Sequence, residues 1–334
     1  MTSISASQAI YRFGTAFDAF KSLYRLSPDH LDAFLNAYQM FDREQPGDND
    51  EKQLIDYYRV INQLCAIGEV EKMYIPPVIT PGVGITDNQN LFEEKMCRDL
   101  ALKPGDRVLD VGCGRGRVAA HLASMCSAEV TGINIDPDQL ASAETFARNR
   151  GLSESCQFVR ANFNDPMPFD DEHFDALYHI QVISYAKDKE QLFREMYRVL
   201  QPGGRISFLD WVLLDAFDPD NPQHRSLLNR VKPLVGAVDS PRAHEITDLL
   251  QKVGFEILSS ADASVNGHQA ALIENADVFY NRVRRTIALL VKYRVLPAHF
   301  VVLFDRLTKD GDAFVEADRL GLLTSSYQTV AVKA

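Results

Sequence analysis

The sequence has few cysteines and no long apolar run. The cysteines, Cys65, Cys97, Cys113, Cys126 and Cys156, are odd in number and form no CxxC pair. This pattern favours free thiols in a reducing interior over a disulfide framework or a zinc site. No stretch of about 18 apolar residues could form a membrane span, and MTSISASQAI at the start lacks the basic and apolar parts of a secretory signal. We therefore expect a cytoplasmic protein with no transmembrane segment and no metal.

Positive charge is also scarce. The 334 residues include 35 Lys and Arg against 46 Asp and Glu, which gives a formal net charge of −11, and there is no basic run. This balance argues against nucleic acid or an anionic membrane as the main partner. Hydrophobic residues make up 46% of the chain and charged residues 24%, so a sizeable core is expected. The length suits one α/β domain with additions.

Strand-like and helix-like segments alternate through the middle of the chain. Short apolar runs predict strands at 107–112, 129–135, 156–162, 174–180, 205–212 and 255–263, and helical spacing predicts helices at 116–126, 137–150, 189–200 and 243–254. Such alternation is typical of a mostly parallel sheet with helices on both faces. The turn QPGG at 201–204 precedes the fifth strand, and SSYQTVAVKA closes the chain as an alternating strand.

The remaining segments divide the chain around this sheet. Residues 1–88 are predicted to form helices followed by a Pro- and Gly-rich lid loop, and residues 89–266 form the Rossmann-like core. Residues 267–308 are an amphipathic helical insertion, and residues 309–334 return to the core with the last strand. The basic cluster Arg282, Arg284 and Arg285 in the insertion is most simply a solvated face.

The first strand ends in a glycine loop, VLDVGCGRG. Gly112, Gly114 and Gly116 stand at alternate positions, which is the spacing GxGxG. Dinucleotides prefer GxGxxG, where a third glycine lets the helix pack beside the pyrophosphate; here Arg117 occupies that position. The spacing favours S-adenosylmethionine, whose methionine end the glycines can approach closely. Asp110 would order the loop or receive the amine of this cofactor.

Other polar residues follow the next strands. Asn134 ends the second strand, where a side chain can bond ribose hydroxyls, and Asn162 with Phe163 ends the third, where an amide and a ring could hold adenine. Ile135 and Gln181 are placed at the same site. The turn QPGGR before the fifth strand is typical of methyltransferases.

These segments together resemble the sterol 24-C-methyltransferase family over about residues 50–334. The resemblance rests on VLDVGCGRG, GINIDPDQL, FLDWVLLDAFDPDNPQHR, AHEITDLLQKVGFEIL and GLLTSSYQTVAVKA. It implies a class I methyltransferase fold with an antiparallel last strand and a helical cap between the last two strands. It also implies that Gly112, Gly114, Gly116, Asn134, Gln139, Asn162 and Phe163 line the cofactor, with S-adenosyl-L-homocysteine as product.

The acceptor side departs from the family pattern. The family has an aromatic stretch, Y-E-Y-G-W-G, of which this chain keeps only Tyr74, and Gln181 and Tyr185 stand where the family has an acid and a histidine. A glutamine cannot take a proton, so His179, Tyr185 and Tyr74 are the candidates for handling one. A hydrogen-bonded strand histidine and a space-filling rim tyrosine are the alternative interpretations of His179 and Tyr185.

These residues leave three alternative functions open. The first is C-methylation of a lipophilic small molecule, a terpenoid or sterol-like acceptor. The second is O- or N-methylation of a secondary metabolite, and the third is a protein that binds S-adenosylmethionine without turnover. Residues 1–50 would cap the pocket or form the contact of a homodimer.

Overall fold

A computed structural model describes residues 6–47, 50–68 and 70–334, so the first five residues of the predicted N-terminal segment lie outside the described residues. One seven-stranded sheet has the order β3-β2-β1-β4-β5-β7-β6. Its strands are β1 (Arg107–Val111), β2 (Glu129–Asn134), β3 (Cys156–Arg160), β4 (Phe174–Ile180), β5 (Leu200–Leu213), β6 (Phe255–Asp262) and β7 (Leu323–Lys333). Strands β1 to β5 pair in parallel, and β7 pairs antiparallel with both β5 and β6. The prediction of a mostly parallel sheet with an antiparallel last strand is confirmed.

The described helices form three groups. The N-terminal group is α1 (Ala6–Tyr24), α2 (Pro28–Ala37) and α3 (Asp50–Ile67). The group around the sheet is α4 (Ile85–Asp99), α5 (Arg117–Cys126), α6 (Pro137–Asn149), α7 (Lys189–Val199), α8 (Pro222–Val235) and α9 (Ala243–Val253). The group between the last two strands is α10 (Ala270–Lys292), α11 (His299–Thr308) and α12 (Gly311–Arg319).

Alternation along β1 separates two core layers. Leu109 and Val111 are buried in the layer that includes Phe193 of α7, whereas Val108 packs in the layer that includes Leu122 of α5. This follows from the pleat of a strand, which sends successive side chains to opposite faces.

The predicted turn at QPGG is a bulge within a longer strand. Phe174 of β4 pairs with Leu200 of β5, but Ala176 pairs with Arg205. The intervening residues of β5 therefore loop out of the ladder, and Gly203 adopts a φ of 77°. Proline and glycine are tolerated there because a bulge leaves its extra residues unpaired.

The helical cap extends further than its sequence pattern indicates. Residues 309–334, predicted to return to the core with the last strand, also contain α12, which continues to Arg319 and buries Phe314 completely. Asp310 and Gly311 are turn-forming residues, and Asp310 adopts a φ of 74°. Such residues predict a loop in the sequence, although a helix begins immediately after the turn.

The N-terminal helices cover the cap. Phe34 and Tyr57 share a buried cluster with Phe300 and Phe304 of α11. The Phe34 and Tyr57 rings stack 6.1 Å apart. Helix α2 begins at Pro28 and is capped by Ser27, whose hydroxyl accepts a hydrogen bond from the His30 amide.

Two of the cysteines are paired, which corrects the expectation of free thiols. Helices α4 and α5 lie side by side and carry Cys97 and Cys126, which are joined by a disulfide. Cys65, Cys113 and Cys156 are free. The spacing of 29 residues gave no indication of this contact, because it arises from helix packing. Within the described ranges, no helix has the length and apolar character to cross a bilayer.

Candidate active site

A pocket lies at the carboxyl ends of β1 to β4. Parallel α/β sheets bind ligands at this edge. It contains the predicted site residues Tyr74, Asp110, Gly112, Gly114, Asn134, Ile135, Gln139, Asn162, Phe163, Gln181 and Tyr185. The structure therefore brings together all the predicted site residues except Gly116 and His179. It adds neighbours that the sequence did not single out, including Glu71, Lys72, Met73, Arg115, Asp136 and Asn164.

The glycine loop bends sharply at the edge of the sheet. Gly112 has a φ of 77° and Gly114 a φ of 53°, values that side chains other than glycine adopt at a cost. A Cβ atom at Gly112 would lie 2.8 Å from Cγ2 of Val182. The amides of Gly112 and Cys113 both donate to the Ile133 carbonyl of β2 at 3.0 Å, which fixes the loop beside the pocket.

Gly116, which was predicted to line the cofactor, is not among the residues that line the pocket. It precedes α5, has a φ of 67°, and faces Ala143 and Phe158 rather than the pocket. A Cβ atom there would lie 2.7 Å from the side chains of both residues. We therefore assign Gly116 a packing role: the glycine allows α5 to pack against α6 and β3.

Asp110 places a buried carboxylate in the pocket. Its Oδ2 accepts a hydrogen bond of 2.7 Å from the Tyr178 hydroxyl, since the two residues are register partners on β1 and β4. Burial raises the pKa of Asp110 to about 7, and the Tyr178 bond only partly offsets this rise. Because the cost of burying the ionised carboxylate is only partly offset, this site favours a cationic ligand.

The end of β2 is held by a network of side chains. Asn134 donates to the Gly114 carbonyl at 3.3 Å and accepts from the Asp136 amide at 3.2 Å. Asp136 caps α6 by accepting from the Asp138 amide and from both the amide and the side chain of Gln139. The helix start at Asp136-Pro137 was visible in the sequence, but its place in the pocket was not.

The end of β3 is joined to the segment after β4. Asn162 accepts from the Asn164 amide at 3.0 Å. Asn164 in turn donates to the Tyr185 carbonyl at 3.2 Å and accepts from the Lys187 amide at 2.8 Å. Phe163 packs beside them against both the sheet layer and the N-terminal cluster. An amide and a ring thus form one wall of the pocket.

His179, predicted as a candidate for handling a proton, lies in the core and does not line the pocket. It is fully buried on β4 and stacks on Phe208 with the ring centroids 4.5 Å apart. Its Nδ1 lies 3.5 Å from Oδ2 of Asp210, and among the described residues neither ring nitrogen has a hydrogen-bond partner. Burial lowers the pKa of His179 to about 3, so the ring is neutral.

Tyr185 does line the pocket, in a chain of hydroxyl groups. The Tyr185 hydroxyl donates to the Gly236 carbonyl and lies 3.3 Å from the Tyr58 hydroxyl, which therefore donates to it. Burial raises the pKa of Tyr185 well above its usual value of 10. The phenol is a fixed hydrogen-bonding group rather than a base.

Tyr74 and Lys72 are held by Glu93, a fully buried carboxylate that no sequence pattern singles out. Glu93 accepts from the Tyr74 hydroxyl and from Lys72 Nζ, each at 2.6 Å, and contacts His121 Nδ1 at 2.5 Å. Glu93 has an exposure of 0%. A buried carboxylate with three polar partners fixes their positions.

A second, mostly apolar cavity adjoins the pocket. It is lined by residues of α3, α8 and the cap, among them Ile61, Leu234, Ile273, Asp277, Tyr280 and Leu307. The residues common to the two cavities are Tyr58, Lys72, Met73, Tyr74 and Gln181. These five side chains form the boundary at which molecules bound in the two cavities would meet.

Gln181 occupies this boundary in an unusual backbone conformation. Its φ is 57°, and its amide donates to the Leu209 carbonyl at 2.8 Å. Its side chain donates to the Ser325 carbonyl of β7 at 3.4 Å. Left-handed backbone at a residue other than glycine is uncommon and concentrates at functional sites.

Comparison with known proteins agrees with this arrangement. Residues 109–208 match the model of a methyltransferase domain. A sterol 24-C-methyltransferase of Gibberella zeae is 30% identical over 261 residues, which covers 72% of this chain and 68% of that protein. This chain belongs to the sterol methyltransferase-like family of S-adenosylmethionine-dependent methyltransferases.

Another relative is matched over a smaller part. Cycloartenol-C-24-methyltransferase of Arabidopsis thaliana is 33% identical over 181 residues, and the match spans about half the length of each protein, 54% of both. Among solved structures, a geranyl diphosphate methyltransferase in complex with S-adenosylmethionine superposes with a TM-score of 0.57 at 17% identity, over 78% of this chain and 98% of that one. This likeness confirms the class I methyltransferase fold.

Proposed function

We propose that this methyltransferase transfers the methyl group of S-adenosylmethionine to a carbon atom of a terpenoid or sterol-like acceptor. The observation that carries the proposal is the apolar cavity that meets the glycine-loop pocket at five shared residues. Methyl transfer requires donor and acceptor carbons to be held in line with water excluded. When bound, S-adenosylmethionine would supply an electrophilic methyl group, which would bond to the acceptor carbon while the electron pair of its bond to sulfur stays on sulfur.

The pocket residues fit this cofactor. The ammonium group of the methionine end would stabilise the buried Asp110 carboxylate. The bend at Gly112 and Gly114 lets the cofactor approach the backbone closely. We propose that Asn134 and Gln139 face the ribose, while Asn162 and Phe163 hold the adenine. Asn134 and Gln139 keep their positions through Asp136, so the ribose side is preorganised.

The acceptor must lose a proton after a carbon–carbon bond forms, and the tyrosines are unsuited to take it. Burial raises the pKa of both Tyr74 and Tyr185 well above 10. We propose that they position the acceptor as neutral groups. Asp277, on the cap side of the cavity, is the carboxylate we assign as proton acceptor; burial raises the pKa of Asp277 above its usual value.

In this proposal, different parts of the chain bind the cofactor and the acceptor. The sheet domain holds the cofactor, while α3, the loop carrying Lys72 to Tyr74, and the cap enclose the acceptor. A net charge of −11 supports a small-molecule acceptor rather than nucleic acid.

The test supplies methyl-labelled S-adenosylmethionine with sterols, prenyl diphosphates, phenols and amines, and locates the label by mass spectrometry. We expect label on carbon. Gly112→Ala should abolish labelling, because the added Cβ meets Val182 at 2.8 Å; Gly14→Ala, whose Cβ meets nothing within 4 Å, is the matched control. No labelling of any acceptor by a protein that binds the cofactor would contradict the proposal.

A second candidate is O- or N-methylation. It is favoured by Gln181, which stands where the family has an acid and cannot take a proton. Label on oxygen or nitrogen would establish this activity. Asp277→Asn tests the proton acceptor assigned for C-methylation: the kcat of that reaction should fall by at least tenfold with KM retained. Glu274→Gln, on the same helix, is the control and should have no effect.

We also propose a cytoplasmic homodimer. The three free cysteines, Cys65, Cys113 and Cys156, support the location, and the N-terminal helices supply the dimer contact in this proposal. A disulfide such as Cys97–Cys126 is uncommon in reducing compartments. Alkylation of thiols in freshly lysed cells should therefore find this pair reduced, and an intact bond would contradict the location. Sedimentation equilibrium tests the dimer.

A further inference from the structure

The outer face of α10 is exposed and apolar. Ile273, Asp277 and Tyr280 on its inner face line the acceptor cavity. On the outer face, Val278, Phe279 and Leu289 are 50%, 46% and 55% exposed, and Tyr293 and Val295 just beyond the helix end are 72% and 59% exposed. Single exposed apolar residues are ordinary, but repetition at helical spacing marks an interaction surface.

The C-terminal part of this helix, with the residues just after it, is positively charged in an acidic protein. Residues 279–295 contain no Asp or Glu, and their basic residues are Arg282, Arg284, Arg285, Lys292 and Arg294. Arg284 pairs with Asp305 at 2.9 Å. The other four, Arg282, Arg285, Lys292 and Arg294, are all exposed. Across the described ranges, no carboxylate lies within ion-pair distance of any of them. The simple solvated face predicted for this cluster does not explain the apolar residues among the cations.

The net charge of −11 does not decide what this face binds. At physiological ionic strength, charges separated by more than about 8 Å are largely screened, so distant acidic residues contribute little here. A helix face that combines apolar and basic side chains is typical of binding in the interface of a bilayer. A twofold contact between two copies of α10 would instead oppose the same cations to one another.

We propose that the outer face of α10 docks on an anionic lipid bilayer. The apolar side chains would enter the headgroup boundary, and the cations would meet lipid phosphates and carboxylates. Because the inner face of the same helix lines the acceptor cavity, docking would bring that cavity next to the phase in which a lipophilic acceptor dissolves. The binding itself needs neither cofactor nor acceptor, so it stands apart from the proposed methyl transfer.

Co-sedimentation of the full chain with vesicles tests the proposal. We expect binding to phosphatidylcholine vesicles containing roughly 30% phosphatidylserine, and much weaker binding to pure phosphatidylcholine. The double variant Arg285→Glu/Lys292→Glu should lose at least twentyfold in partition, since each basic residue near the surface contributes about fivefold. Lys103→Glu/Arg148→Glu, which changes two exposed cations of the sheet domain, adds the same charge and should stay within about twofold of the wild type.

The apolar half needs its own variant. Leu289→Ser/Tyr293→Ser should lower binding to both vesicle types by about tenfold, with an unchanged far-UV circular dichroism spectrum as evidence of folding. Absence of wild-type binding, or equal losses in the two charge-reversal variants, would overturn the proposal. It would also fail if the serine variant converted a dimer into a monomer, because the face would then be a contact between copies of this chain.

Discussion

Binding of S-adenosylmethionine should strengthen as the pH rises from 6 to 8. Asp110 is buried and receives a hydrogen bond from Tyr178, and its pKa is raised to about 7. In the free protein the carboxyl is therefore ionised in about one molecule in eleven at pH 6 and in about ten of eleven at pH 8. If the cofactor ammonium pairs with the ionised form, Kd falls about tenfold between these values, or about 1.4 kcal/mol.

The direction follows from the proton balance. A nearby cation lowers the pKa of Asp110, so binding releases a proton below about pH 7 and affinity levels off above it. In the free protein the effect on folding has the opposite sign. The folded state holds this proton up to about pH 7, whereas the unfolded state releases it near the usual value of 3.8. Asp110 therefore lowers the free energy of unfolding as the pH rises through that interval.

Titration calorimetry between pH 5.5 and 8.5, in two buffers of different ionisation enthalpy, measures both the Kd and the proton released. Asp110→Asn should bind more weakly and lose the pH dependence. A wild-type Kd that does not change with pH would refute the assignment of Asp110 to the ammonium group. A slope that persists in Asp110→Asn would point to Asp210, whose pKa burial also raises to about 7 but which does not line the pocket.

Further variants test the positions of buried residues. Glu93→Gln leaves the Lys72 charge unbalanced and should lower the free energy of unfolding by about 3 kcal/mol; a loss below about 0.5 kcal/mol by chemical denaturation would contradict this. Gly116→Ala should cost about 3 kcal/mol, because its Cβ meets Ala143 at 2.7 Å and its φ is positive, while the cofactor Kd of the folded fraction stays unchanged. His179→Phe should retain turnover and stability, since the ring is buried and its nitrogens have no hydrogen-bond partner among the described residues. A large loss of kcat would restore histidine as a catalytic candidate.

The cofactor half of the site was predictable because its residues follow strands whose pattern is strong. Asp110, Asn134 and Asn162 come at or just after the ends of successive apolar runs, and parallel strands place those ends at one edge. Residue spacing could not show which face a side chain takes. Gly116 fits the loop spacing but packs between helices, and His179 points into the core, although its neighbour Gln181 reaches the pocket.

The acceptor half could not be predicted in the same way, because no single segment contains it. Tyr58 comes from α3, Gln181 from the end of β4, and Asp277 from the cap, so their meeting depends on how three separate parts pack. Glu93 is the clearest case: it stands in an ordinary amphipathic helix, yet it holds two of the five boundary residues. Local patterns specify a binding loop, whereas the shape of an acceptor cavity is decided by tertiary packing, and specificity in this chain must be sought in those contacts.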